Sequence, residues 1–329
     1  MFHRFASNAA TLALSLCCAA IGTTAMAQTP PQNDTPIRLI VGFAAGGPTD
    51  ILARLIGTEA STTLKQPVVV ENLTGASGNL ATMAVRRAAP NGNTLLVSSL
   101  THNVNPLLIP DASKYDPIAD FTPVSQALTL FQALVVAHDS PVNSVAELIE
   151  QAKSRGSLTY ASAGVGGSSH LASALLASRS ATQLIHVPFR GNAPAMTEVM
   201  AGRVDFMFYP MVGLAPMVAE KRLKVLAVTN AERNPDYPAA PTMAEAGFAG
   251  FDKYSNYIGF MAPRGTPPDV VERLNAAIRL AMKKPAVKEQ LRALGAVEVG
   301  STSKDFAAFL LDDRKRWAEL ISSAKIKGE

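Results

Sequence analysis

Ile37-Arg38-Leu39-Ile40-Val41-Gly42-Phe43-Ala44-Ala45-Gly46-Gly47-Pro48-Thr49-Asp50-Ile51-Leu52-Ala53-Arg54-Leu55-Ile56 is the stretch that decides the fold class. A short apolar run, a glycine-rich loop and a helix-like segment follow one another, which reads as strand, loop, helix. Such a loop aims backbone N–H groups and the positive end of a helix dipole at one point in space, and so makes a receptor for an anion. The same order recurs downstream. Strand-length apolar runs are expected at Val68–Glu71, Thr94–Ser98, Ala133–Ala137, Leu158–Ala161, Leu184–Val187, Asp205–Phe208, Lys224–Val228 and Tyr257–Met261. Helical-period segments lie near 49–64, 79–89, 144–154, 168–178, 193–201, 267–283, 285–294 and 303–324. Repeated strand–helix–strand order predicts an α/β chain whose sheets are mainly parallel and covered by helices. Local punctuation agrees, with Pro90-Asn91-Gly92 ending one helix and Ser144, three residues before Glu147, capping another.

Two further loops share the character of the first: Thr74-Gly75-Ala76-Ser77-Gly78-Asn79, and Ser162-Ala163-Gly164-Val165-Gly166-Gly167-Ser168-Ser169-His170. Ligands of open α/β sheets bind at the carboxyl ends of strands, so three such loops are expected to face one cleft. Any one of them could be a tight turn and nothing more, because glycine is common there. Three together favour binding. A nucleotide is a poor candidate, since there is no G-x-x-x-x-G-K-[ST] and the first loop does not match G-x-G-x-x-G. A small carboxylate fits better, because a few neutral donors satisfy its charge without a buried ion pair. Asp50 would repel such a ligand unless its carboxylate points away or meets an amino group.

The amino terminus reads as a secretory signal peptide: Arg4, an apolar core from Thr11 to Ile21, and Ala25-Met26-Ala27 as a small-x-small cleavage site before Gln28. The core is shorter than the roughly 20 apolar residues a membrane span needs. Both cysteines, Cys17 and Cys18, fall inside this segment, so the mature chain would have no disulfide, thiolate nucleophile or cysteine metal ligand. A lipoprotein anchor at Cys17 is disfavoured by bulky Leu16. Removing residues 1–27 of 329 leaves 302, more than one core usually serves, and two domains are expected. The formal net charge of +4 is mild and the basic residues are scattered without aromatic platforms, which argues against nucleic acid.

Enzymatic readings lack their signatures. Ser168 or Ser169 beside His170 does not make a hydrolase, because no G-x-S-x-G elbow is present and neighbours in sequence cannot form a nucleophile–base–orienter geometry alone. His102, His138, His170 and His186 are widely spaced with no H-E-x-x-H, so neither a catalytic metal nor any other cofactor is expected.

The chain resembles the Bug family, the extracytoplasmic solute receptors of tripartite tricarboxylate transporters, over essentially all its mature length. The resemblance is carried by Pro36–Val41 with Gly46-Gly47-Pro48-Thr49-Asp50, Gln66–Asn72 with Gly75–Asn79, Ala88–Leu96, Asp120–Ser125, Tyr160–Gly164, His186–Gly191, Pro241–Gly247 and Ala262–Pro267, in that order. It implies a two-lobed, Venus-flytrap periplasmic binding protein of type II-like architecture. Residues 28–125 and 253–329 would form one lobe and 126–252 the other, with crossings near Ser125–Leu128 and Gly250–Ser255. It further implies a periplasmic, non-catalytic, monomeric protein that closes on a di- or tricarboxylate, an acidic amino acid or an aromatic carboxylate. The partners would be a large and a small membrane permease subunit. A sensor that reports occupancy to a two-component kinase, or an ABC-type receptor, would share this fold.

Carried over residue by residue, the resemblance assigns ligand contacts to Phe43, Ala44, Ala45 and Thr49 in the first loop, and to Gly75, Ala76 and Ser77 in the second. Thr101, His102 and Asn103 follow the strand ending near Ser99, and Ala163, Gly164, Ser168 and His170 supply the opposing lobe. Arg190 would add charge, or face solvent. Two departures stand out: Ala44-Ala45 replaces a proline pair found in many members, and Tyr209-Pro210 replaces a small polar pair. Tyr209 either contacts an aromatic or partly apolar ligand or packs beneath the loop.

Overall fold

Apolar runs and glycine punctuation resolve into eleven strands and ten helices in the computed structural model, which describes residues 35–111 and 113–328. The first part contains β1 (Ile37–Val41), α1 (Pro48–Leu64), β2 (Val68–Asn72), α2 (Asn79–Arg86), β3 (Thr94–Ser98), α3 (Leu100–Leu108) and β4 (Phe121–Leu130). Then come β5 (Gln132–Ala137), α4 (Val145–Arg155), β6 (Leu158–Ser162), α5 (Ser168–Ser180), β7 (Leu184–Pro188), α6 (Asn192–Met200), β8 (Met207–Pro210), α7 (Leu214–Ala219) and β9 (Leu223–Val228). The chain closes with β10 (Asn256–Pro263), α8 (Pro268–Lys283), α9 (Pro285–Ala293), β11 (Ala296–Glu298) and α10 (Ser303–Ser323). The expected signal peptide, its cysteines and the Gln28 cleavage point lie outside the described residues. No helix among the described residues is long and apolar enough to cross a membrane.

Two lobes result. The first is a six-stranded sheet in the order β11-β4-β10-β3-β1-β2. The second joins an antiparallel trio, β8-β5-β9, to the parallel pair β6-β7 through a bridge between Tyr160 and Phe206. The sheets are mixed, not mainly parallel as strand–helix alternation implies. Among the described residues the parallel pairings are β1 with β2, β1 with β3 and β6 with β7, together with the isolated bridges Tyr160–Phe206 and Val228–Thr242. The cause is the double crossing between lobes. β4 leads out of the first sheet and β10 returns to it, so the two lie side by side and antiparallel, from Asn256 opposite Leu130 to Pro263 opposite Phe121.

Each sheet buries its own apolar faces. Leu39, Val41, Leu95, Val97, Phe260 and Ile258 pack under α1 and α8 in the first lobe. Leu134, Val136, Phe206 and Phe208 pack under α4 and α5 in the second, and the same cluster takes in Val104 of α3 and Trp317 and Leu320 of α10. The last helix thus begins against the first sheet and ends in the core of the second lobe. Burying a large apolar side chain contributes about 1.5–3 kcal/mol, so these contacts make α10 a strut between the lobes. Ser144 does cap α4, its Oγ accepting the Glu147 N–H at 3.1 Å while Glu147 takes the Asn143 N–H at 2.8 Å.

Helix α3 has a defect with a specific repair. Pro106 lies inside it and cannot donate to the carbonyl of His102, four residues back. The Tyr115 hydroxyl donates to that oxygen instead, at 3.1 Å.

Candidate functional site

The loops after β1, β2, β6 and β7 face one another across a cleft between the lobes. Its outer part is a cavity of about 370 Å³ walled by Phe43 and Gly75–Gly78 on one side, and by Ala163–Val165 and Pro188–Arg190 on the other. Its inner end is a pocket of about 20 Å³, room for one water or one small polar group. Phe43 and Ala163 line both.

The inner pocket is built from helix beginnings. Thr49 lies in the first turn of α1, Leu100 and Thr101 open α3, Ser168 opens α5 and Asn192 opens α6, and all of them line it. Two of these helices come from each lobe. The first N–H groups of a helix have no intrahelical partner, and the aligned peptide dipoles place partial positive charge there. Four such ends on one point stabilise negative charge although no Lys, Arg, Asp or Glu lines the pocket.

Side chains tune the donors. Gln132 Nε2 donates to Ser168 Oγ at 3.1 Å, which leaves the serine proton to be given elsewhere. Asn256 Oδ1 accepts the N–H groups of Leu100 at 3.1 Å and Tyr257 at 2.8 Å, so its amide nitrogen is the end available to a guest. Asp50, which would repel an anion, turns away. Its carboxylate accepts from Gly46 N–H at 3.0 Å, Arg54 at 2.9 Å and Asn72 at 2.9 Å. Burial opposes its charge, but the hydrogen bonds from Arg54, Gly46 and Asn72 outweigh it and hold the carboxyl below its ordinary range.

Of the residues assigned from sequence, Phe43, Thr49, Gly75, Ala76, Ser77, Thr101, Ala163, Gly164, Ser168 and Arg190 line the cleft. Arg190 is exposed and is the one charged residue on the outer wall. Ala44 and Ala45 line neither cavity. Ala45 is exposed, and Ala44 meets the other lobe, where a Cβ built on Gly191 would stand 3.0 Å from its backbone nitrogen. The lobes also meet where a Cβ on Gly164 would stand 2.8 Å from Ser77 Oγ.

Four others sit behind the walls. His102 is 2% exposed, bonds Pro117 O through Nε2 at 2.8 Å and stacks on Tyr115. Asn103 donates to Leu310 O and Asp313 Oδ2, both at 3.0 Å, and so ties α3 to α10. His170 Nδ1 accepts the Gly166 N–H at 3.1 Å, and the ring stacks on His186 with centroids 4.2 Å apart. Tyr209 is 2% exposed among Ala133, Met196 and Met211, with its hydroxyl pushed up to about 12 by burial. It packs beneath the loops.

Asn192, Asn256, Val165 and Phe189 also line the cleft and escaped the sequence reading. Asn192 was within reach, being the residue after Gly191 at the start of a predicted helix. Asn256 was not, because it arrives from the returning strand 156 residues after Leu100.

The profile of the family described as "Tripartite tricarboxylate transporter family receptor", TctC, matches residues 52–326. The chain belongs to that receptor family. The receptor is 40% identical over 288 residues to a UPF0065 protein in the tcbD-tcbE intergenic region of Pseudomonas sp. strain P51, covering 87% of this chain and 85% of the relative. Among solved structures it is similar to MatC of Rhodopseudomonas palustris with bound malate, at 35% identity and a TM-score of 0.83, covering 87% of this chain and 98% of that one. It is also similar to R. palustris Rpa4515 with adipate, at 32% identity and a TM-score of 0.85, covering 89% and 98%. These receptors share the two-lobed α/β binding-protein fold and serve transport, not catalysis. Among the described residues no group of three or more His, Cys, Asp or Glu side chains could hold a metal ion.

Proposed function

We propose that the receptor captures a small carboxylate between its lobes in the periplasm and delivers it to the large and small permease subunits of a tripartite transporter. The observation that carries this reading is the convergence of four helix N-termini, two per lobe, on an inner pocket without fixed charge. One carboxylate would seat there on backbone N–H groups and the hydroxyls of Thr49, Thr101 and Ser168. The remainder of the ligand would occupy the outer cavity, with Arg190 opposite a second anionic group. That the two R. palustris relatives hold malate and adipate supports a ligand with two anionic groups.

Residues 28–125 and 253–329 are proposed as one lobe and 126–252 as the other, with a monomeric mature chain starting at Gln28. The strand memberships support two lobes but keep Gln126–Leu130, the end of β4, with the first sheet, so the outward crossing is proposed at Phe131, just past the expected Ser125–Leu128, and the return near Ser255, with α10 tying the two together. Closure then follows from differential affinity: a guest touching donors of both lobes favours the state in which all four helix ends are near it.

A thermal-shift panel of malate, adipate, citrate, acidic amino acids, benzoate- and phthalate-type acids and nicotinate tests the reading on protein stripped by unfolding and refolding. A ligand at ~100 times its Kd adds about 2.7 kcal/mol of stability, a shift of several degrees. Stabilisation by one chemical group of acids is the expected result, and a folded protein indifferent to all of them overturns it. Ser168→Ala and Thr101→Ala should each weaken binding of the identified acid by about 0.5–3 kcal/mol, measured by calorimetric titration. Unchanged affinity in both variants removes the inner pocket as the carboxylate seat.

A further inference from the structure

The wall of the outer cavity contains a strained turn. Gly75, Ala76, Ser77 and Gly78 take φ of +136°, +46°, +53° and +89° in succession. Glycine adopts this region freely, whereas L side chains resist it. Two consecutive non-glycine residues there persist only where the surroundings over-determine them.

The group that does so is Asn105 of α3, which is 1% exposed. Its Nδ2 donates to the Ser77 carbonyl oxygen at 2.9 Å and to Asn79 Oδ1 at 2.9 Å. Asn79 is anchored in turn, its Nδ2 donating to Ser113 Oγ at 2.8 Å. Because the Ser77 carbonyl can only accept, the amide has one orientation. Its other end is therefore fixed as well. Asn105 Oδ1 is buried, has no hydrogen-bond partner among the described residues, and faces the opposite lobe, where a Cβ built on Gly166 would stand 2.8 Å away. Gly166 is itself left-handed, with φ of +73°, in the loop whose N–H is held by His170. One side chain thus touches the second loop through its nitrogen and the third loop's surface through its oxygen.

We infer that Asn105 is a positioning residue, which holds Gly75–Gly78 in the left-handed shape that walls the cleft and fixes how closely the Gly164–Gly167 loop can approach. It contacts neither cavity itself. The role rests on the carboxylate-receptor reading only for its effect on affinity; the hold on the loop stands apart from it.

The test is a cycle between Asn105→Leu and Ser77→Gly, with Asn105→Ala as a second variant should the leucine protein not fold. Asn105→Leu removes the donor at similar size. It should speed amide hydrogen exchange across residues 73–80 by at least about tenfold without ligand, local opening being what exchange reads. It should also raise the Kd for malate or adipate, whichever the wild type binds, by at least about tenfold. Glycine at 77 accepts the observed φ without strain, so in the Ser77→Gly background the same change should move each readout by about threefold or less. Equal fold-changes in both backgrounds would show ordinary packing loss and overturn the inference, as would unaltered exchange. If the wild type binds neither acid, that counts against the carboxylate reading, and the exchange measurements alone decide whether Asn105 holds the loop.

Discussion

Gly191→Val should raise the Kd for the acid identified in the thermal-shift panel by about 100-fold or more, or about 2.7 kcal/mol, while leaving a folded protein. Gly191 follows β7 on the second lobe and has φ of +147°. A Cβ there would stand 3.0 Å from the Ala44 backbone nitrogen and 3.2 Å from Ala44 Cβ on the first lobe. The neighbour is backbone, which cannot swing aside as a long side chain would, and overpacking of this kind costs about 1–3 kcal/mol. A second contribution comes from strain at φ of +147°, about 1–3 kcal/mol, and it is present whether the lobes are open or closed. The two separate experimentally. Strain lowers the melting temperature of the unliganded protein, whereas the clash appears only when the lobes meet, as lost affinity and as lost compaction on ligand addition in small-angle scattering. Wild-type affinity in Gly191→Val would mean that the Ala44–Gly191 contact does not belong to the ligand-holding state.

Acidification should weaken the fold steeply between pH 6.5 and 4, and His102 is a main cause. Burial pushes its imidazole down to about 4, the hydrogen bond to Pro117 and the charge of Asp116 pulling the other way and Arg314 adding to the fall. In the unfolded chain the same ring titrates near its ordinary 6.5. Between those values the unfolded state binds more protons than the folded state, so stability rises with pH across the window and is lost as pH falls through it. For one fully buried ring the loss approaches about 3 kcal/mol at pH 4 and levels off below. His186, also pushed down to about 4 by burial, acts in the same direction. His102→Gln keeps a donor for Pro117 and removes the titration. Urea midpoints at pH 7.5 and 4.5 should therefore differ less in His102→Gln than in the wild type, and identical pH dependence in the two would exclude His102 as the source.

The parts of the fold visible in sequence are those fixed by local chemistry. Ile37–Val41 and Thr94–Ser98 are strands with the expected limits, because three or four apolar residues in a five-residue run between turn formers leave little alternative. Helix α3 was missed: Leu100–Leu108 contains Thr, His, two Asn and a proline, a composition that resists helix unless something repairs it. The repair is tertiary, through Tyr115 and Asn256, and neither is near in sequence to the bond it satisfies. β4 was hidden for a related reason, since Pro123, Ser125 and Gln126 break the apolar run, and its pairing with β10 is what makes it a strand.

The cleft divided in the same way. The glycine-rich, hydroxyl-bearing loops point to Thr49, Ser77 and Ser168, which line the cleft, whereas His102 and His170, carried over by the resemblance, and Tyr209, open between contact and packing, lie behind its walls. Those rings carry polar atoms but find their partners within the protein, in Pro117 and Gly166 for the two histidines, and spend their apolar faces in stacking or core contacts. Residue type alone does not tell a ring that supports a wall from one that forms it.

An inner pocket lined by four helix ends and no cation sets the terms on which cargo can leave. A lysine or arginine in such a site would stay charged in every conformation, and a bound acid would have to be pried from it by a competing ion. Dipole ends belong to whole helices, two carried by each lobe, and their combined field at one point exists only while the lobes are together. Spreading the hinge by a few ångströms would weaken the field on the guest and admit water at the same time. In the proposed transport reading, grip is thus a function of hinge angle, and a permease that pries the lobes apart needs no counter-charge of its own to unload them.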